Sequence, residues 1–162
     1  MIHGFLKACT VSPALRVADC AFNTQQTIAA MQRAALDGAQ LAVFPELGLT
    51  GYTCGDLFFQ QPLQRAAAKG LAAVLEASAG LDLVALVGLP VAVDGKLYNC
   101  AAVVCHGKLL GLVPKTHLPN YGEFYEKRQF NPAPTGVRTL HRQGPGPRGP
   151  VSVYQYEVLS AA

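Results

Sequence analysis

Charge is scarce in this sequence. Only 14% of its 162 residues are Asp, Glu, Lys or Arg, against 51% that are hydrophobic. That balance excludes a disordered chain and implies a core-rich globular protein of about one domain, with some surface suited to a partner. The 13 basic and 10 acidic residues leave a net charge of +3 and never gather into a run. The electrostatic footprint of a nucleic-acid or anionic-membrane binder is therefore missing. No uninterrupted apolar stretch resembles a secretory leader, because Lys7 and Arg16 break the first one, and none approaches the ~20 apolar residues of a spanning helix. A cytoplasmic location is the expectation. The five cysteines are odd in number and form no CxxC pair, which fits reduced thiols rather than a disulfide framework. Cys100, Cys105 and His106 have no second ligand pair at a useful spacing, so no metal is expected. Nor is there a phosphate-cradling glycine loop before Gly95-Lys96 or Gly107-Lys108, or a GxSxG elbow.

What is present reads as alternating strand and helix. Gly4 to Val11 reads as a strand. Asn23 can cap, and Gly38 close, a helix whose Thr24, Ile28, Met31 and Ala35 share one face. "LAVFPE" is a short apolar run of the kind a buried strand shows, and a second helix runs from about Pro62 to Ser78. "LVALVGLPVAV" supplies one or two strands. Asp94-Gly95 signals a hairpin, and "LYNCAAVVCHGKLLGLVPK" reads as two strands joined around His106 and Gly107. A mixed sheet with helices on one side follows. Past Phe130 the texture turns to Pro, Gly, Arg and Gln, so the ordered domain is expected at residues 1–134, with an atypical Gly/Pro-rich tail over 135–162.

Two charged residues stand where chemistry could be done. Glu46 follows an apolar strand and a proline, with Gly48 and Gly51 allowing a tight loop around it; it is either a base or a solvated loop acid. Lys115 again follows a strand and a proline, and is either catalytic or a surface cation. His117 reads as a loop histidine, and Glu126, Lys127 and Arg128 as a solvated face.

"VFPELGLTGY" followed by "GLVPKTHLPNYGEFYEKRQF" resembles the nitrilase, or carbon–nitrogen hydrolase, superfamily. Within it, "ELGLTGYTCGDLF", "LYNCAAVV" and "LPNYGEFYEKRQF" are most similar to the glutaminase domain of bacterial glutamine-dependent NAD synthetases, over about Phe5 to Pro132. The resemblance implies an α/β fold, a nitrilase-type α-β-β-α sandwich represented by its N-terminal portion. It implies that Glu46 is the general base, Lys115 the catalytic lysine, Tyr121 a contact of the glutamine substrate, and Glu123 an acid that helps hold the site. It places Glu46 and Lys115 at the ends of neighbouring strands, within hydrogen-bonding reach. It further implies glutamine as substrate, with ammonia passed to a synthetase domain that amidates deamido-NAD using ATP and magnesium. The family's nucleophilic cysteine lies in a later Cys-Glu-Asp segment, which this sequence does not contain. Cys54 and Cys100 fall where the family carries non-catalytic residues. The resemblance thus implies a chain holding the base and the lysine without the thiol, inactive alone, its sheet edge and apolar face left open to self-association. The alternatives are another amidase of the superfamily and a non-catalytic module.

Overall fold

The computed structural model describes residues 4–136 and the backbone of residues 139–140 and 153–154. The expectation for the 135–162 tail therefore falls almost wholly outside the described residues.

The strands β1 (Ala8–Thr10), β2 (Leu41–Val43), β3 (Val84–Val93), β4 (Lys96–Cys105) and β5 (Lys108–Pro114) form one sheet in sequence order. The first three run parallel, and β3, β4 and β5 meander antiparallel. Parallel neighbours need a crossover, and the helices α1 (Cys20–Leu36) and α2 (Gln61–Ala77) supply the two. The antiparallel pairs need only tight turns. Asp94-Gly95 and His106-Gly107 both take left-handed φ at each position, the requirement of a two-residue turn whose twist matches its strands. Two further strands, β6 (Thr139–Leu140) and β7 (Val153–Tyr154), pair antiparallel with each other.

The helix ends differ from expectation in one place. Asp19, not Asn23, caps α1, accepting a hydrogen bond from the Phe22 N–H at 3.0 Å. Asn23 lies inside the helix and is wholly buried, where its side chain receives the Arg16 N–H and donates to the Arg16 carbonyl, both at 2.8 Å. A buried amide needs such partners, and they fix the β1–α1 loop against the helix. The buried face of α1 is accordingly Cys20, Asn23, Thr24, Thr27, Met31 and Ala34.

Both helices pack on one side of the sheet. Met31 and Ala34 of α1 and Leu71 and Val74 of α2 meet Val87, Leu89, Ala102 and Val104 in one apolar cluster. The opposite face is also apolar, but less covered: Val43 is 36% exposed, with Leu86, Ala101, Val103 and Val113 half-buried. That asymmetry is expected of one half of a sheet-on-sheet sandwich.

Candidate active site

The site begins with an absence. Gly88 lies mid-strand in β3, and a Cβ there would meet the Pro45 carbonyl oxygen at 2.3 Å, the Leu47 nitrogen at 2.5 Å and the Glu46 carbonyl carbon at 2.9 Å. The chain leaving β2 therefore arches directly over Gly88, and Leu49 returns to donate its N–H to the Gly88 carbonyl at 3.1 Å. Leu47, fully buried at φ 52°, takes the left-handed turn that completes the arch. Only glycine permits this approach. Its effect is to carry Glu46 off the end of β2 and across β3 towards β4.

On β4 the side chain of Asn99 shares the face with Gly88, since Cys100 points to the helix side. Its Nδ2 donates to Glu46 Oε2 at 3.3 Å. Lys115 follows β5 and extends the ladder by donating its backbone N–H to the Asn99 carbonyl at 2.8 Å. Its Nζ reaches both Glu46 oxygens, at 2.9 and 3.0 Å. The two residues thus approach as closely as expected, although not from neighbouring strands: β3 and β4 lie between β2 and β5. The glycine crossing closes that gap.

A second carboxylate completes the arrangement. Residues 116–132 form a loop pinned at its base, where Ala133 donates to the Lys115 carbonyl at 3.0 Å and Asn131 to that of Leu97 at 2.8 Å. From this loop Glu126 places Oε1 3.0 Å from Lys115 Nζ. Its side chain is 6% exposed, whereas that of Glu46 is 49% exposed. The reading of Glu126 as part of a solvated face is therefore corrected: of Glu126, Lys127 and Arg128, the last two are exposed and Glu126 is buried. Glu123 is exposed on the same loop, and the acid that holds the lysine is Glu126. A buried carboxylate has to be paired, and Lys115 with Tyr52 provides the pairing.

Burial alone would lower the proton affinity of the Lys115 amine. The hydrogen bonds it donates to Glu46 and Glu126, and the charges of those two residues, outweigh that and hold it above the ordinary lysine value, so the group is an ammonium. Its three N–H bonds are spread over two carboxylates. A half-exposed glutamate can accept a proton, and a fixed ammonium beside it can stabilise an oxygen on which negative charge develops.

Tyr121 is 71% exposed at the rim. Its ring meets Phe124 edge-on at 5.7 Å, and Phe124 meets Tyr52 at 6.5 Å, so an aromatic chain leads from the rim to Glu126. Beside it lies a cavity of about 110 Å³ lined by Tyr52, Phe58, Glu123, Phe124, Glu126 and Phe130, among others. The cysteines stand apart from this chemistry. Cys100 is 5% exposed and points into the helix-side core, where burial pushes its thiol up to about 12. Cys54 is buried, directs its Sγ to the Thr50 carbonyl at 3.1 Å, and is likewise raised by burial. Among the described residues no three His, Cys, Asp or Glu side chains converge to hold a metal, and no helix is long and apolar enough to cross a membrane.

Asn99 and Gly88 went unrecognised in the sequence. A buried asparagine inside "LYNCAAVV" carries a signal of its own, because a polar side chain in such a strand needs a partner.

The carbon-nitrogen hydrolase family profile matches residues 7–160. Among curated proteins, the glutamine-dependent NAD(+) synthetase of Mycobacterium tuberculosis is 39% identical over 130 residues, covering 80% of this chain and 19% of that protein. The one from Thermotoga maritima is 39% identical over 110 residues, 68% of this chain and again 19% of the relative. The chain thus spans about a fifth of the length of these relatives. The crystal structure of the Cytophaga hutchinsonii glutamine-dependent NAD(+) synthetase superposes with a TM-score of 0.83 at 25% identity, over 94% of this chain and 26% of that one. An amidase from Nesterenkonia sp. shares the fold, with a TM-score of 0.66 at 24% identity over 86% of this chain and 52% of that one.

Proposed function

Because the chain belongs to the carbon-nitrogen hydrolase family, we propose that it supplies the base and the lysine of an amide-hydrolysing site whose substrate is the side-chain carboxamide of glutamine. The observation that carries this reading is the Lys115 ammonium held between a half-exposed Glu46 and a buried Glu126. In this role Glu46 takes the proton from an attacking thiol and later returns one to the departing ammonia. Lys115 faces the carbonyl oxygen as it becomes an oxyanion, and Tyr121 contacts the substrate at the rim. Hydrolysis through a thioester needs a nucleophilic cysteine, and no described cysteine bonds to Glu46 or Lys115. These residues by themselves therefore do not turn over glutamine. The ammonia would go to the amidation of deamido-NAD in NAD biosynthesis, with ATP and magnesium used by synthetase machinery outside the residues described here.

The test grafts residues 4–136 in place of the matching segment of the Mycobacterium tuberculosis relative. Ammonia release is then measured from glutamine and from simple aliphatic amides. Preference for glutamine supports the proposal. Release from acetamide or propionamide at equal or greater efficiency favours a general amidase, and none from any amide favours a non-catalytic module.

A further inference from the structure

Tyr52 joins two stretches that are far apart in sequence. Its hydroxyl donates to Glu126 Oε1 at 2.6 Å across 74 positions, and the same oxygen receives Lys115 Nζ at 3.0 Å. The other oxygen, Oε2, is buried and takes no hydrogen bond from the described residues. Among those residues, then, the orientation of the Glu126 carboxylate is set through Oε1, by a phenol and an ammonium alone.

These two donors are not equivalent. The Lys115 stem has four rotatable carbons, so its ammonium goes where its acceptors are. Glu46 is an inconstant acceptor, since in the proposed reaction it gains and loses a proton. Glu126 is the constant one, but with Lys115 as sole donor it would be oriented by the group it is meant to orient. The Tyr52 ring breaks that circularity. It has only two side-chain torsions, and its edge rests on Phe124 at 6.5 Å.

We propose that Tyr52 is a positioning residue: by holding Glu126 Oε1, its hydroxyl fixes the direction in which Lys115 Nζ is presented to the reacting carbonyl. The reaction named here is the amide hydrolysis proposed for this site. Burial, followed by the hydrogen bond to Glu126 and that residue's charge, drives the phenol well above its ordinary pKa, so it remains a donor through the working pH range. The hydroxyl is the active part of the side chain, and Phe cannot replace it.

The test needs no turnover, so its failure is distinct from failure of the amide-hydrolase reading. The whole chain is acylated with trace acetic anhydride at pH 8, and the rate at Lys115 is read by peptide mass spectrometry against Lys7, Lys69 and Lys127. Glu126→Gln sets the scale for a lysine that has lost its buried anchor. Tyr52→Phe is expected to raise Lys115 labelling roughly threefold to tenfold, the factor for loss of about one hydrogen bond's worth of restraint, with the reference lysines unchanged. Tyr52→Leu, which also removes the ring contact, should do no more than Tyr52→Phe. Labelling of Tyr52→Phe within a factor of two of the wild type overturns the proposal, as does full rescue of Tyr52→Leu by Phe. Should Tyr52→Phe loosen the whole fold, the grafted protein described above provides the second measurement. There Tyr52→Phe should lower kcat with KM for glutamine unchanged; an unchanged kcat, or a rise in KM alone, overturns the assignment.

Discussion

Replacing Gly88 by alanine tests how the fold delivers Glu46. The new Cβ would lie 2.3 Å from the Pro45 oxygen and 2.5 Å from the Leu47 nitrogen, against the 3.4 Å at which ordinary contact begins. Both are backbone atoms flanking Glu46, so no flexible side chain can swing aside. The arch has to lift by roughly 1 Å, weakening the Leu49 bond to the Gly88 carbonyl and drawing Glu46 from 2.9 Å towards 4 Å from Lys115. Overpacking of this kind costs about 3 kcal/mol, at the upper end for one added methyl group. For a chain of this size that corresponds to about 10 °C in the unfolding midpoint. Thermal or urea denaturation followed by circular dichroism reads the stability. The matched control is Gly80→Ala, where a Cβ meets nothing within 4 Å; its effect should stay within about 1 kcal/mol. If Gly88→Ala matches Gly80→Ala in stability, with Lys115 labelling as in the wild type, the crossing does not position the acid.

Other outcomes follow from the same contacts. Lys115→Met leaves Glu126 buried without its cation and should cost about 2–3 kcal/mol in urea denaturation, most of it recovered in Lys115→Met/Glu126→Gln; additive losses in the double variant refute the pairing. Stability should fall as pH rises from about 9 towards 12. Burial raises Cys100 to about 12, and burial, with the nearby Cys54 and Asp19, raises Cys20 to about 11, while Lys115 is also raised. Each group favours the folded state below its unfolded pKa, a contribution lost as pH climbs through the folded value. A flat profile over that range in chemical denaturation contradicts these shifts. The face carrying the exposed Val43, and the β1 edge that pairs with no further strand among the described residues, should drive self-association into a homo-oligomer, which a monomeric mass by light scattering would exclude. Treated with an electrophilic glutamine analogue, the chain should show no adduct by intact mass. A stoichiometric adduct on Cys54 or Cys100, lost in Glu46→Gln, would mean that one of them has been recruited as nucleophile.

Local chemistry was legible in the sequence wherever it determined local structure. Asp94-Gly95 marked its hairpin, and Pro62 and Gly38 marked helix ends, because each residue fixes its own backbone. Glu46 and Lys115 stood out because each follows an apolar strand and a proline. What stayed hidden depends on tertiary crossings. Glu126 sits between Tyr125 and Lys127-Arg128 in a short 3₁₀ turn, so charged neighbours masked a side chain that turns inward. The resemblance pointed to Glu123 instead, three positions away on the same loop. Strand adjacency was misjudged for a similar reason: no periodicity reveals that the chain after β2 steps over a glycine in β3. Asp19 displaced Asn23 as cap because the asparagine amide is consumed by Arg16, a contact made only once the preceding loop has closed.

The most direct measurement concerns Glu46 in the grafted protein. NAD formation is followed with glutamine and, separately, with ammonium chloride as nitrogen source, in the wild-type graft and in Glu46→Gln. The substitution keeps the size of the side chain and the bond from Asn99 while removing the base. Loss of the base should reduce the glutamine-dependent rate by at least ~100-fold, in the range general-base catalysis supplies, and leave the ammonia-dependent rate within twofold. Equal rates from glutamine in the two proteins, or a parallel fall with both nitrogen sources, would contradict the assignment of Glu46 as the base of amide hydrolysis.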